Sequence, residues 1–232
     1  MKPYTYFLIN VGCLLIPFIA SFYPKRSFYK VWKPFFLANL VIAILFLIWD
    51  YFFTKYGIWG FTPEYLTGIY IANLPIEEIL FFICIPYACI FTYYILKFLV
   101  IRNPISKIQK SITVGMVIFS LFTGIIAVGR WYTSLTAFLT AGYLLFLLIR
   151  KKDLAYYYLT YVFVLPFFFL SNGLLTGSFL DKPIVWYNDL ENLGIRIFTI
   201  PVEDIFYGFL LVSMNISLFD YLRKEYFSSS ID

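Results

Sequence analysis

Leu74-Pro75-Ile76-Glu77-Glu78-Ile79-Leu80-Phe81-Phe82 opens an apolar run that meets no further charge before Lys97. Ile200-Pro201-Val202-Glu203-Asp204-Ile205-Phe206-Tyr207 opens a second run, with no further charge before Asp220. Each run is about 20 residues long, and at about 1.5 Å per helical residue it crosses the roughly 30 Å of a bilayer's hydrocarbon. Both are read as membrane-spanning helices entered through a proline and two acids.

Working outward, five more such runs bring the predicted spans to residues 4–22, 35–53, 77–97, 111–128, 132–149, 155–171 and 202–222. The composition agrees. Of 232 residues 62% are hydrophobic and 23% aromatic, while only 13% are charged; a soluble domain usually carries about 25%. So few charges exclude a disordered tail, a nucleic-acid module and a coiled coil. The run at 4–22 has the length of a signal peptide, but Lys25 and Arg26 follow it directly and no small-x-small cleavage site precedes them, so it is read as a retained helix.

The chain contains no histidine. That removes His-ligated haem, histidine-rich di-iron centres, zinc-protease sites and an imidazole base. Cys13, Cys84 and Cys89 form no C-x-x-C pair and lie in apolar runs, so they read as small buried hydrophobes. No G-x-G-x-x-G or phosphate loop is present, and helix seven has no lysine before Lys224 for a retinal Schiff base. Gly173 and Gly177 form a G-x-x-x-G that suits close packing or a loop.

Alternating the loops across the membrane assigns Lys2, Lys55, Arg130, Lys182 and Arg196 to the N-terminal side and the other thirteen of the 18 Lys and Arg to the opposite side. Positive charge collects on the cytoplasmic side, so the N-terminus is expected outside and the C-terminus in the cytoplasm of a multi-pass cell-membrane protein. Most acids fall on the outer side, several at or inside a helix start, and ionisable groups inside a membrane mark function.

The two quoted stretches belong to a repeat. Gly68-Ile69 and Gly194-Ile195 stand at the same distance before Pro75 and Pro201, and Lys25-Arg26 and Lys151-Lys152 keep the same offset of 126. Asp50 and Thr54 answer Asn172 and Thr176, and Trp59 answers Trp186. Helices one to three thus match helices five to seven, with helix four as a connector that restores the orientation of the second copy. The expected architecture is all-α: seven transmembrane helices as two parallel three-helix repeats, 1–110 and 132–232, joined by a linker helix within 111–131.

Proline at the first helical position with acids in the first turn is also an ordinary helix start. Here each start opens a membrane span, where burying Glu77, Glu78, Glu203 and Asp204 is costly, and that favours chemistry. Neighbours on a helix point about 100° apart, so one acid of each pair can face a cavity while the other satisfies the helix end. Asp50, late in helix two, and Arg196, replaced by Tyr70 in the first copy, are candidates to set their protonation; a simple structural ion pair for Arg196 is equally consistent.

At these residues the sequence resembles the integral-membrane lycopene cyclase domain family, whose P-x-E-E/D-x-x-F/Y signature stands here twice, at Pro75–Phe81 and Pro201–Tyr207. Asn172 with Thr176, Trp186-Tyr187-Asn188, Gly194-Ile195-Arg196, Trp49-Asp50 and Gly57-Ile58-Trp59 also resemble it, and the chain is similar to the fused form of a two-subunit type. The resemblance implies cyclisation of the linear ends of lycopene, or a related linear carotenoid, to β-ionone rings. An acid protonates the terminal double bond, the next double bond attacks the cation, and a carboxylate removes a proton. That isomerisation needs no net redox, water or metal, and no cofactor is expected. Phe81, Phe82, Phe206 and Tyr207 are candidates for the wall facing the cation. The readings that compete are a carotenoid hydratase, which would trap the cation with water, a proton-coupled transporter, and a carotenoid-binding module without turnover.

Overall fold

The computed structural model describes residues 2–228 and contains seven long helices: α1 (Thr5–Ala20), α2 (Trp32–Lys55), α3 (Ile76–Leu99), α4 (Gln109–Ile126), α5 (Trp131–Ile149), α6 (Ala155–Leu175) and α7 (Val202–Ser228). All seven are long and apolar enough to cross a membrane, as the hydropathy pattern predicts. Their outward faces carry large apolar side chains, such as Ile16, Leu40 and Ile118, which in a bilayer meet lipid rather than water.

Packing divides the chain into two compact units. Among the described residues, the first holds those up to Tyr56, Phe61–Leu99 and those from Leu211; the second holds Gly57–Gly60 and Val100–Leu210. In the first, α1 and α2 pack along α3; in the second, α4 packs along α5.

Inside the first unit, Pro86 interrupts α3. A proline has no N–H, so the carbonyl four residues back loses its helical donor, a loss that hydrocarbon does not forgive. The buried Asn39 of α2 supplies the replacement: its Nδ2 donates to the Phe82 carbonyl at 2.9 Å and reaches Asn215 Oδ1 at 3.3 Å.

Helix-period reasoning passes over two short hairpins that launch the acid-bearing helices. After strand β1 (Trp59–Phe61), β2 (Tyr70–Ile71) pairs antiparallel with β3 (Leu74–Pro75). After β4 (Val185–Tyr187), β5 (Arg196–Ile197) pairs in the same register with β6 (Ile200–Pro201). The first turn residue has positive φ in both, Ala72 at 55° and Phe198 at 56°, a strained value for residues with a Cβ. Gly68 and Gly194, the glycines of the repeat, enter these hairpins at φ 84° and 68°, which explains why each copy has glycine there. The strands keep the 126-residue offset throughout.

Candidate active site

Each hairpin delivers its helix start in the same way. The first helical N–H donates back to a loop carbonyl, Ile76 to Ile69 at 2.9 Å and Val202 to Ile195 at 3.0 Å. The first acid of each motif then accepts from a loop N–H: Thr67 donates to Glu77 Oε1 at 2.6 Å, and Leu193 donates to Glu203 Oε1 at 2.8 Å. The second acid takes a phenol. Tyr6 of α1 donates to Glu78 Oε2 at 2.5 Å, and Tyr132 of α5 donates to Asp204 Oδ1 at 2.5 Å. All four acids are buried.

In the first unit, Asn10 Nδ2 also donates to the Glu77 main-chain carbonyl at 2.8 Å. Asp50 is fully buried in α2, and Thr54 Oγ1 donates to its Oδ1 at 3.4 Å. Phe82 is buried, with its ring 5.4 Å from that of Phe81 and 6.0 Å from that of Phe46.

In the second unit the surroundings are richer in donors. Thr133 Oγ1 adds a 2.5 Å hydrogen bond to Glu203 Oε1. Asp204 Oδ2 accepts from Asn172 Nδ2 at 2.7 Å and from the Tyr187 hydroxyl at 2.9 Å, so this one carboxyl holds three donors. The rings that carry two of those donors belong to a cluster. Trp59 stands edge-on to Tyr132 (5.1 Å between centroids), Tyr187 (6.1 Å) and Tyr207 (6.0 Å), and Tyr132 stacks on Tyr187 at 5.7 Å. A buried acid held among four aromatic rings can exchange a proton with an apolar molecule and tolerate a cation nearby. Phe206 lies elsewhere on the same turn and stacks on Phe119 of α4 at 5.6 Å.

Loop 188–194 holds the second site in place by capping α5. The Glu191 carbonyl accepts from Tyr132 N–H at 2.9 Å, its Oε2 accepts from Trp131 N–H at 3.1 Å, and Arg130 donates to the Asn192 carbonyl at 3.0 Å.

For two residues the structure decides between or corrects what the sequence suggests. The Arg196 guanidinium pairs with neither motif acid: its Nη2 pairs with Asp189 Oδ1 at 2.6 Å and its Nη1 donates to the Thr199 carbonyl at 2.8 Å, the ion-pair alternative. Slight burial of Asp189 opposes its charged form, but the hydrogen bonds from Arg196 and Asn192 and the Arg196 charge outweigh that and hold its carboxyl below the usual value. Trp186 does not correspond to Trp59. The 126-residue strand register sets Gly60 against Trp186, which is 40% exposed, and a Cβ on Gly60 would overlap the Trp186 indole.

Tyr6, Tyr132 and Thr133 complete the sites without standing out in the sequence, and Tyr187, there only part of the resemblance, joins them. One signal was available, because Tyr6 and Tyr132 are themselves 126 residues apart. Among the described residues, no group of three or more His, Cys, Asp or Glu side chains is placed to hold a metal ion.

Comparison with known proteins follows the same repeat. The family model described as lycopene cyclase matches twice, at residues 3–96 and 129–222. The bifunctional lycopene cyclase/phytoene synthase of Aspergillus niger is 30% identical over 108 residues, 40% of this chain and 19% of that protein, so the chain spans well under two thirds of the length of this relative. No solved structure matches.

Proposed function

The chain belongs to the lycopene cyclase family, and from that premise we propose that it cyclises the linear ends of lycopene, or of a related linear carotenoid, to β-ionone rings within the cell membrane. The observation that carries the reading is Asp204, buried with three hydrogen-bond donors among Trp59, Tyr132, Tyr187 and Tyr207. The chemistry is an intramolecular isomerisation. A carboxylic acid adds a proton to the terminal C=C bond, leaving a tertiary cation. The next C=C bond attacks that cation and closes the six-membered ring. A carboxylate then removes a ring proton to restore a double bond.

Within each motif the two acids divide the work. Glu78 and Asp204, held by phenols, face the reacting end; Glu77 and Glu203 tie the helix start to its loop and, as the second carboxyl of each pair, exchange the proton with their neighbours. Tyr132, Tyr187 and Asn172 orient the Asp204 carboxyl, and the ring faces of the cluster stabilise the cation electrostatically. Burial matters as much as placement, because water at the cation would divert it to an alcohol. The excess of Lys and Arg on the loops opposite the N-terminus supports an N-terminus outside and acid motifs near the outer boundary.

Expression in a lycopene-accumulating bacterial strain, with pigments read by chromatography and mass detection, tests the proposal. Ringed products at unchanged mass are expected from the natural chain and lycopene alone from Asp204→Asn. Products heavier by one water would move the assignment to a hydratase, and untouched lycopene beside well-expressed natural protein would overturn it.

A further inference from the structure

Helix α4, which lies outside the repeat, begins beside the C-terminus of α5 and the loop that leads into α6. A cavity of ≈ 220 Å³ opens there, and three lysines line it: Lys110 of α4, and Lys151 and Lys152 of the loop. Hydrogen bonds fix its walls. Gln109 Oε1 accepts from Leu154 N–H at 2.5 Å, and the Thr113 hydroxyl, which donates to the Gln109 carbonyl at 2.8 Å, lies 2.6 Å from the Tyr158 hydroxyl. Lys151 and Lys152 donate their N–H groups to the Leu148 and Leu147 carbonyls, both at 3.0 Å, and so close α5. Helix ends of this kind usually have glycine at the place of Lys151, whose φ of 53° strains a residue with a Cβ. The chain keeps a charged side chain where glycine would be less strained.

Among the described residues Lys110 and Lys151 form no ion pair, and Asp153, next along the loop, caps α6 by accepting from Ala155 N–H at 2.9 Å. Like charges gathered around one opening attract an anion. Leu148 and Leu154 supply the apolar part of the lining, and α4 and α5 are both long and apolar enough to span a membrane, so a cavity at their ends lies at the level of lipid headgroups. Its volume is below the about 300–1,000 Å³ of pockets for drug-sized molecules and suits a phosphate diester. We infer that the cavity binds a phosphate group, presented as the headgroup of an anionic phospholipid, with Lys110, Lys151 and Lys152 as its ligands. Gln109 and Lys110 open α4, so the positive end of that helix adds to the attraction. The site occurs once: the 126-residue offset sets Lys25 and Arg26 opposite Lys151 and Lys152, but α4 has no counterpart. Nothing here rests on the cyclase reading, because binding is measured without lycopene.

The test is native mass spectrometry of the full chain released from detergent with phosphatidylglycerol or phosphatidylcholine added. The natural chain should retain phosphatidylglycerol in preference to phosphatidylcholine, and Lys110→Gln/Lys151→Gln should weaken that retention at least about tenfold. Lys25→Gln/Lys30→Gln removes the same charge from exposed positions of the first unit and should leave retention as it was. Lys151→Gly separates binding from folding: glycine accepts φ 53° without strain, so the melting temperature should hold or rise while retention falls about fivefold. Inorganic phosphate is then added as a soluble competitor. Displacement of the lipid would extend the site to free phosphate, and no displacement would restrict it to the headgroup; both support the phosphate chemistry. Equal retention of the two lipids, an equal loss in Lys25→Gln/Lys30→Gln, or full retention by Lys110→Gln/Lys151→Gln would overturn the inference. A lower melting temperature with undiminished retention in Lys151→Gly would also overturn it and leave Lys151 as a cap of α5.

Discussion

The hydroxyl of Tyr132 donates to Asp204 at 2.5 Å across 72 residues of chain, and the same bond at the same separation joins Tyr6 to Glu78. Two copies that have diverged elsewhere keep an acid–phenol pair at the same place. A buried hydrogen bond to an ionisable partner is worth about 1.5–3 kcal/mol. Tyr132→Phe should therefore lower the rate of ring formation by roughly ten- to a hundredfold while the protein still inserts and folds. Side-by-side assays of Tyr132→Phe and Tyr6→Phe then report how far the two copies share the chemistry; unchanged rates in both would remove the phenols from the site.

Glu203 and Glu77 are held by loop N–H groups, so their amides should fail for a different reason. Gln keeps the shape and still offers a carbonyl oxygen to Leu193 or Thr67, and the hairpin should survive Glu203→Gln and Glu77→Gln. What is lost is the ability to take up and release a proton. Ring formation by Glu203→Gln should fall at least about a hundredfold with little change in melting temperature. A large drop in melting temperature instead would make Glu203 a structural tether only.

The sequence carried the seven spans because each is a long apolar run, and it carried the acid motifs because four carboxylates at span entrances are costly enough to be conspicuous. The 126-residue offset linked the copies. The rest was hidden for physical reasons. With 21 tyrosines, most of them simply packing, nothing local distinguishes Tyr132 or Tyr6 as a donor to an acid 72 residues away. Strands of two residues are too short to leave an alternation pattern, so the hairpins and their positive-φ turns were not legible. Pairing Trp59 with Trp186 was a slip of one residue, and in an extended strand one residue reverses the side on which the ring lies. Arg196 stands seven residues from Asp189 and seven from Glu203, so separation along the chain does not choose between the two partners.

The close approach at Gly60 gives a steric prediction. A methyl group there meets the Trp186 ring, and displacing a packed indole from a short strand typically costs about 1–3 kcal/mol. Gly60→Ala should lower the melting temperature by several degrees, and Trp186→Ala in the same chain should recover most of that loss. No recovery would show that Gly60 is needed for some reason other than the indole.

The Asp189–Arg196 pair should matter little and only above acid pH. Asp189 has a lowered folded value, so it contributes stability that is present above its unfolded value of 3.8 and is lost as pH falls through the folded one. Asp189 is exposed and Arg196 half-buried, so the contribution is at most about 1 kcal/mol. Asp189→Asn should cost less than about 4 °C in melting temperature at neutral pH. The gap between variant and natural chain should close well below pH 3.8, where the natural carboxyl is also neutral. A gap that persists in acid would assign the loss to the Asn192 contact rather than to charge.

Asn39 and Pro86 supply the sharpest test of the fold, because one exists to repair the other. Asn39→Leu strips the Phe82 carbonyl of its donor inside hydrocarbon, and an unsatisfied buried acceptor costs about 1–3 kcal/mol. Pro86→Ala restores the N–H that the helix lacks, so the carbonyl regains an internal partner and no longer needs Asn39. In a double-mutant cycle read by unfolding in detergent, Asn39→Leu should therefore be costly in the natural chain and much cheaper in the Pro86→Ala background. The size of that difference isolates the Asn39–Phe82 bond from the second Asn39 contact, to Asn215, which Pro86→Ala leaves in place. Equal costs in both backgrounds would mean that Asn39 serves Asn215 and not the break in α3.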